Sequence, residues 1–319
     1  MKIGIIGYGK QSKKIIEKIK KFKEIRKIVV FKKSNFKEKI SKLYFTNNIK
    51  DLDSLEIIFI LSPNNTHFHY IKKFSNKKKY IFCEKPAFTT INEYKYLERL
   101  KRFQKKRIFF NFNYEFSEYF KNLKKEFENK NNGKLINFSF FASHGQAFRN
   151  KKNSRKFKSL DLFNKITGNL GIHYINFLNQ YINNLKIKNI NECSIVNQNI
   201  VDTSNIFLKS KEISGNIFLS YASVHFKFSI LHFTNAIFIF DNNKIKKYTP
   251  RDYFNKKNLF ATPPSKYNKK INYNFINNSL EDSLYFFINN VKNKNSFSIK
   301  KFNNTINANK LFLDYDRKQ

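Results

Sequence analysis

The sequence predicts an α/β N-terminal domain with a doubly wound parallel sheet, followed by an α+β C-terminal domain with a large, mostly antiparallel sheet. Three observations lead there. The apolar start Met1-Lys2-Ile3-Gly4-Ile5-Ile6 runs straight into the turn Gly7-Tyr8-Gly9. Strand and helix patterns then alternate for about a third of the chain. After that the rhythm changes to strand upon strand.

The first six residues read as a buried strand. Gly7-Tyr8-Gly9-Lys10-Gln11-Ser12 reads as a Rossmann-type turn, with Ser12 where a third glycine is usual. A helix follows over Lys13–Lys23, with Ile15, Ile16, Ile19 and Phe22 at helical spacing. Strand candidates Lys27–Phe31, Glu56–Leu61, Lys79–Cys83 and Arg107–Asn111 alternate with helix candidates Phe36–Leu43, Thr66–Phe74 and Asn92–Lys105. Residues 1–116 thus form a dinucleotide-binding domain. Residues 117–319 form the second domain, opened by a helix over Ser117–Glu128 and the break Asn129–Gly133. Its strands are Leu135–Phe141, Ser194–Val196, Asn205–Lys209, Gly215–Ser220, Phe226–Phe233 and Ala236–Phe240. Helices are expected over Asn169–Ile182, Leu280–Val291 and Thr305–Leu313. Several of these strands are apolar on both alternations, so both sheet faces need cover. Helices can cover one face and a second copy the other, as a homodimer or homotetramer.

At 319 residues, 41% hydrophobic and 17% aromatic, the chain can build two cores. Its net charge of +39 comes from lysine scattered along the whole length, alternating with Asn, Ile, Phe and Tyr. A nucleic-acid surface concentrates its charge and favours arginine, so a biased base composition explains the surplus and no specific nucleic-acid partner is expected. Cys83 and Cys193 form neither a disulfide framework nor a metal-binding spacing. No apolar run reaches the ~20 residues of a membrane span. These features, with an N-terminus that enters a strand directly, predict a cytoplasmic protein without a structural metal.

Two motifs carry chemistry. The glycine turn lets the backbone approach a pyrophosphate at a helix N-terminus, so Gly7, Tyr8, Gly9, Lys10 and Gln11 are cofactor-binding candidates. The second motif is Glu84-Lys85-Pro86, which closes the apolar run Tyr80–Cys83. It places an ammonium at the carboxyl edge of the sheet, where ligands bind, and the proline can fix the lysine's direction through an unusual, even cis, peptide. The acid that would hold the ribose of NAD is missing from Phe31-Lys32-Lys33-Ser34. Lys32 and Lys33 suit a 2′-phosphate, so the reading is NAD(P) with a lean to NADP.

In the order and spacing of these pieces the chain resembles the Gfo/Idh/MocA oxidoreductases. The resemblance rests on Gly7-Tyr8-Gly9, Ser62-Pro63-Asn64-Asn65 with His67, Glu84-Lys85-Pro86, Asn113-Tyr114-Glu115-Phe116, Gly133-Lys134-Leu135 and Gly171-Ile172-His173-Tyr174-Ile175-Asn176. It implies hydride transfer between a nicotinamide and a carbinol or keto carbon of a sugar, cyclitol or nucleotide-sugar. It implies cofactor contacts at Ser62, Pro63, Asn64, His67, Glu84, Lys85 and Pro86. It also places Lys85 beside the reacting hydroxyl and makes His173 the general acid/base. His144 and Arg155, within the basic stretch Arg149–Lys156, are substrate candidates and would suit an anionic group.

The chain also departs from the family pattern. Asn169 stands where aspartate is usual, one turn before His173. Asn176 replaces a second aspartate, Glu115 replaces an arginine, and the usual glycine pair before the helix is absent. Asn169 can hydrogen-bond a substrate but cannot accept a proton. Three readings follow: an active enzyme relying on Lys85 and His173, a different reaction, or a degenerate member that binds cofactor or sugar and regulates.

Overall fold

The computed structural model describes residues 1–33, 43–149, 162–196, 200–241, 244–270 and 275–317. The helix expected over Phe36–Leu43 lies outside them, apart from Leu43. So do Ser34, Arg155 and most of the basic stretch around it.

The strands are β1 (Lys2–Ile6), β2 (Lys27–Phe31), β3 (Leu43–Thr46), β4 (Ile57–Ile60), β5 (Tyr80–Glu84), β6 (Ile108–Asn111) and β7 (Leu135–Ser143). They continue with β8 (Lys186–Cys193), β9 (Thr203–Lys209), β10 (Ser214–Ser220), β11 (Phe226–Phe233), β12 (Ile237–Asp241), β13 (Lys244–Tyr248) and β14 (Ser265–Lys270). The helices are α1 (Lys10–Ile19), α2 (His67–Ser75), α3 (Ile91–Glu98), α4 (Arg102–Lys105), α5 (Glu118–Glu128) and α6 (Gln146–Arg149). Then come α7 (Ile166–Leu178), α8 (Phe275–Lys292) and α9 (Ile299–Asp316).

The chain divides into two compact units. The first, Met1–Asn113 with Leu280–Leu313, holds a fully parallel six-stranded sheet in the order β3-β2-β1-β4-β5-β6. The order in which the chain visits the strands reverses between β1 and β4, and ligands bind outside the carboxyl ends at such a point. Near-continuous apolar strands suit a sheet covered on both faces. Ile3, Ile5, Ile57, Phe59 and Phe82 are buried in one core with Ile15, Ile16 and Ile19 of α1.

That core also takes in Leu284, Phe287, Ile288 and Val291 of α8. The expected boundary of 117–319 is therefore corrected: residues 280–313 fold with the N-terminal unit. Their apolar stripe has its partner there, where Phe287 packs on Phe59 and Phe82 at centroid distances of 5.3 and 5.2 Å.

The second unit, Tyr114–Ser279 with Asp314–Gln319, carries an eight-stranded sheet in the order β14-β13-β12-β11-β7-β10-β9-β8. All its pairings are antiparallel except β7 with β10. One face packs on α5 and α7 through Phe120, Tyr174, Phe177 and Phe140. The opposite face holds a run of partly exposed rings, Phe141, Phe218, Phe226 and Phe228, in mutual contact.

Two expected elements take another form. Ser194–Val196 is not a strand, because the Asp202 carboxylate accepts the Ile195 and Val196 amides at 3.0 and 2.8 Å and turns the backbone after β8. The helix expected over Asn92–Lys105 is two. Gln104 accepts the Lys101 amide at 2.8 Å and so starts α4 afresh after α3. Among the described residues no helix is long and apolar enough to cross a membrane, and no group of His, Cys, Asp and Glu is arranged to hold a metal.

Candidate functional site

In the first unit the chemistry gathers at the carboxyl ends of β1, β4 and β5. Gly7 has φ +96°, and a Cβ there would meet the Leu61 carbonyl oxygen at 2.8 Å. Only glycine fits the turn that leaves β1. Gly9 has open space where a Cβ would stand and caps α1, whose first turn carries no acid. This cradle of unblocked backbone at a helix N-terminus fits a pyrophosphate. Ser12 takes the third-glycine position without strain. It is fully buried, and its hydroxyl donates to the Leu61 carbonyl at 3.2 Å, tying α1 to the end of β4.

The Glu84-Lys85-Pro86 loop adjoins that turn. The Asn111 amide donates to Glu84 Oε1 at 2.8 Å, and Gln11 Nε2 reaches the same oxygen at 3.4 Å. Ser283 of α8 in turn donates to Asn111 Oδ1 at 2.6 Å. Burial raises the Glu84 pKa, opposed by the Asn111 hydrogen bond and the Lys85 charge. The Lys85–Pro86 peptide is cis. Lys85 keeps some exposed surface, yet the protein packed around its ammonium pulls its pKa down to about 8 against the opposing pull of Glu84.

His67, expected beside the cofactor, holds two loops together. It is buried, with Nδ1 2.7 Å from the Pro86 carbonyl oxygen and Nε2 2.9 Å from that of Ser62. The ring joins the loop after β4 to the loop after β5, and burial lowers its pKa. Ser62 accepts from the Thr66 hydroxyl at 2.6 Å, while Pro63 and Asn64 open the short turn before α2. Lys32 and Lys33 follow β2, and no carboxylate stands beside them in the sequence.

In the second unit the site is built around α7. The helix is apolar nearly all round and every residue is buried except Asn169. Gly168 lets it sit close to the preceding chain, since a Cβ would meet the Leu162 carbonyl oxygen at 2.3 Å. Thr167 bonds Ser204 of β9 at 2.9 Å, and Lys165 pairs with Glu192 of β8 at 2.8 Å, so the helix start is pinned to the sheet. His173 is buried, and the Tyr114 ring lies flat against it with centroids 4.1 Å apart and planes 14° apart.

One turn earlier, Asn169 donates to the Tyr221 hydroxyl at 3.0 Å. Tyr221 stacks on His144 at 4.6 Å, and burial lifts its phenol to about 12. His144 is held below its ordinary value, first by burial and then by the charges of His225 and Lys227. Thus Tyr114, His144, Asn169, His173 and Tyr221 form one cluster. Asn176 and Glu115, two departures from the expected pattern, meet each other: the amide donates to Glu115 Oε1 at 2.6 Å. Gln180 donates to the same oxygen at 2.8 Å.

Sequence reasoning missed Tyr221 and Lys227. Lys227 is buried on β11 with its Nζ 5.8 Å from the Tyr114 ring centre. The signal was present in Phe226–Phe233, where period-two alternation puts Lys227 on the same face as Leu231 and Phe233.

Residues 1–112 match GFO_IDH_MocA, the oxidoreductase family with an NAD-binding Rossmann fold. The chain is 31% identical over 134 residues to the uncharacterized oxidoreductase YrbE of Bacillus subtilis, a match spanning 40% of this chain and 39% of that protein. It is 23% identical over 248 residues to Glucose-6-phosphate 3-dehydrogenase of Bacillus subtilis, spanning 74% and 67% of the two chains. The fold matches that of a myo-inositol dehydrogenase from Corynebacterium glutamicum with a TM-score of 0.71 at 15% identity, covering 98% of this chain and 94% of that one.

Proposed function

We propose that the chain is a Gfo/Idh/MocA oxidoreductase, the family whose model residues 1–112 match, and that it works as an NAD(P)-dependent dehydrogenase or reductase acting on a sugar-like alcohol or ketone. The observation that carries the reading is the common placement of the Gly7–Ser12 cradle and Lys85. Gln11 of the cradle touches Glu84, the residue before Lys85. A bound nicotinamide dinucleotide would supply the hydride acceptor or donor.

The chain's own residues do the rest. The turn from Gly7 to Gln11 binds the pyrophosphate, with Ser62, Pro63 and Asn64 at the neighbouring strand end. Lys85 donates a hydrogen bond to the substrate oxygen and stabilises the charge that grows there. His173 takes the hydroxyl proton in oxidation and returns it in reduction, held in orientation by Tyr114. Asn169, the one residue of α7 that is not buried, holds a substrate hydroxyl. Lys32 and Lys33 favour a 2′-phosphate, and a second copy of the chain covers the ring-rich sheet face.

A second reading is a regulatory protein that binds cofactor or sugar without turnover. It is favoured by Asn169, whose amide is engaged by Tyr221 and cannot accept a proton. Titration of NAD and NADP, followed by a panel of sugars and keto-sugars with cofactor bound, separates the two. Turnover of any panel member supports the enzyme, and binding without turnover supports the regulator. Failure to bind either dinucleotide removes the enzyme and leaves only a sugar-binding regulator, and a clear preference for NAD refutes the lean to NADP.

A further inference from the structure

A polar side chain inside an apolar stripe needs a reason, because it gives up its hydrogen bonds to water. On α8 the residues Leu280, Leu284, Phe287, Ile288 and Val291 face the core of the first unit at helical spacing. Ser283 stands fully buried in the same stripe, where an apolar side chain would satisfy the pattern. Asn111, the last residue of the edge strand β6, is buried as well. Sheet register sets it beside Glu84, the last residue of β5.

The chemistry fixes the direction of each bond between them. An ionised carboxylate only accepts, so Asn111 must turn its amide N–H toward Glu84 Oε1, which it meets at 2.8 Å. That leaves the amide oxygen facing α8, where a donor is required, and Ser283 donates to it at 2.6 Å. Two further donors reach the same carboxylate: Gln11 of α1 at 3.4 Å and the Lys85 backbone amide. One hydrogen-bonded chain therefore runs from a core serine through Asn111 to the carboxylate that adjoins Lys85.

We propose that Ser283 and Asn111 are positioning residues of the dehydrogenase site, which act on Lys85 by fixing the carboxylate of Glu84 beside it. The inference rests on the dehydrogenase reading for the role of Lys85. The donors favour the ionised carboxylate, and its charge in turn favours the protonated Lys85, each against the burial that opposes it. The other titratable groups nearby are His67 of α2, lowered first by burial, and the Cys83 thiol, raised by burial and by the Glu84 charge. The charge of Glu93 on α3 acts on His67. Without the Ser283 hydroxyl the Asn111 amide loses its fixed orientation, and the hold on Glu84 weakens with it.

The test uses the full chain and the variants Ser283→Ala, Ser283→Thr and Asn111→Leu. Ser75→Ala is the control, since Ser75 is another buried serine of the first unit, at the end of α2. Acetic anhydride acetylates only the unprotonated amine, so mass spectrometry of the Lys85 peptide across pH gives the Lys85 midpoint without any substrate. The wild-type midpoint should lie near 8. Ser283→Ala and Asn111→Leu should lower it by about one pH unit, the low end of what a nearby opposite charge contributes. Ser283→Thr keeps the hydroxyl and should keep the wild-type midpoint, and Ser75→Ala should leave it in place. For any sugar of the panel that is turned over, kcat/KM of the two lowering variants should fall about tenfold at pH 9 and little at pH 6. A lesion of packing alone would cost the same at both. If Asn111→Leu does not fold, Ser283→Ala decides alone. An unchanged midpoint in the folded variants, or an equal shift in Ser75→Ala, overturns the proposal. A wild type that binds neither NAD nor NADP removes the dehydrogenase reading, while the midpoints still decide whether Ser283 and Asn111 act on Lys85.

Discussion

A lysine that stabilises a developing alkoxide must carry its proton. Burial lowers Lys85 to about 8, so the protonated fraction, and with it kcat/KM, should fall as pH rises through about 8. Lys85→Arg keeps the charge at all accessible pH and should move that alkaline limb upward while lowering the maximum rate. Lys85→Ala should lower turnover by about 10²–10⁴-fold, the usual worth of a positioned acid or base. Dinucleotide affinity should change far less, because the pyrophosphate is held by the Gly7–Gln11 backbone. A pH–rate profile of the three proteins checks all of this, and an unchanged limb in Lys85→Arg would assign it to another group.

The same scale settles Asn169. Its amide donates to the Tyr221 hydroxyl, and an aspartate could accept from that hydroxyl without moving. Asn169→Asp should therefore fold normally and match or exceed the wild-type rate. It places a carboxylate one turn from His173, which favours the imidazolium and should raise the acidic limb of the profile. A collapse of activity would show that the amide itself is required.

At the scale of elements, what was legible followed from how strongly burial shaped each segment. β2 and β11 were readable to their ends because Ile28, Val29, Val30 and Phe31 fill the first and Phe226, Phe228, Ile230, Leu231 and Phe233 dominate the second. Of the strands that escaped, β3, β8 and β14 are edge strands, where one neighbour is missing and lysine is favoured, and β13 lies next to an edge. In β8, with Lys186, Lys188 and Asn189, composition hid the alternation. The candidate site divided in the same way. Gly7, Lys85 and His173 announced themselves through local pattern. Tyr221 and Lys227 belong to the cluster only through sheet register and through α7, which no window of sequence contains. Residues 280–313 were also misassigned, because their stripe shows that they need a core but not which one. The packing makes that assignment testable. Phe287 is fully buried and stacks on Phe297 at 5.4 Å. Phe287→Ala should cost about 3–5 kcal/mol in urea unfolding, as deletions of buried aromatic rings do. Dinucleotide binding should weaken with it, since Ser283 on the same helix supports Asn111 and Glu84. A cost confined to the second unit's unfolding would contradict the assignment.

For the whole molecule the dominant physical fact is charge. Twenty-three acidic side chains cannot neutralise 62 basic ones, and the residual +39 repels itself in the folded state more than in the expanded unfolded chain. Salt shortens the reach of that repulsion, from about 30 Å at 0.01 M to about 8 Å at 0.15 M. The melting temperature should therefore rise as sodium chloride goes from about 0.01 to 0.3 M, with most of the gain at the low end where screening changes fastest. Raising the pH toward the sequence pI of about 10.0 removes the surplus charge itself. The salt-dependent gain should then shrink toward zero, because little repulsion remains to be screened. Differential scanning fluorimetry over a grid of salt and pH distinguishes screening from a bound anion. A gain that persists undiminished near pH 10 would mean that chloride stabilises by occupying a site. A melting temperature that falls with salt at neutral pH would mean that the ion pairs, such as Lys18 with Glu281 and Lys292 with Glu24, outweigh the repulsion. A rise with salt that fades near pH 10 is expected, because these pairs are exposed to solvent, where pairing adds little to stability.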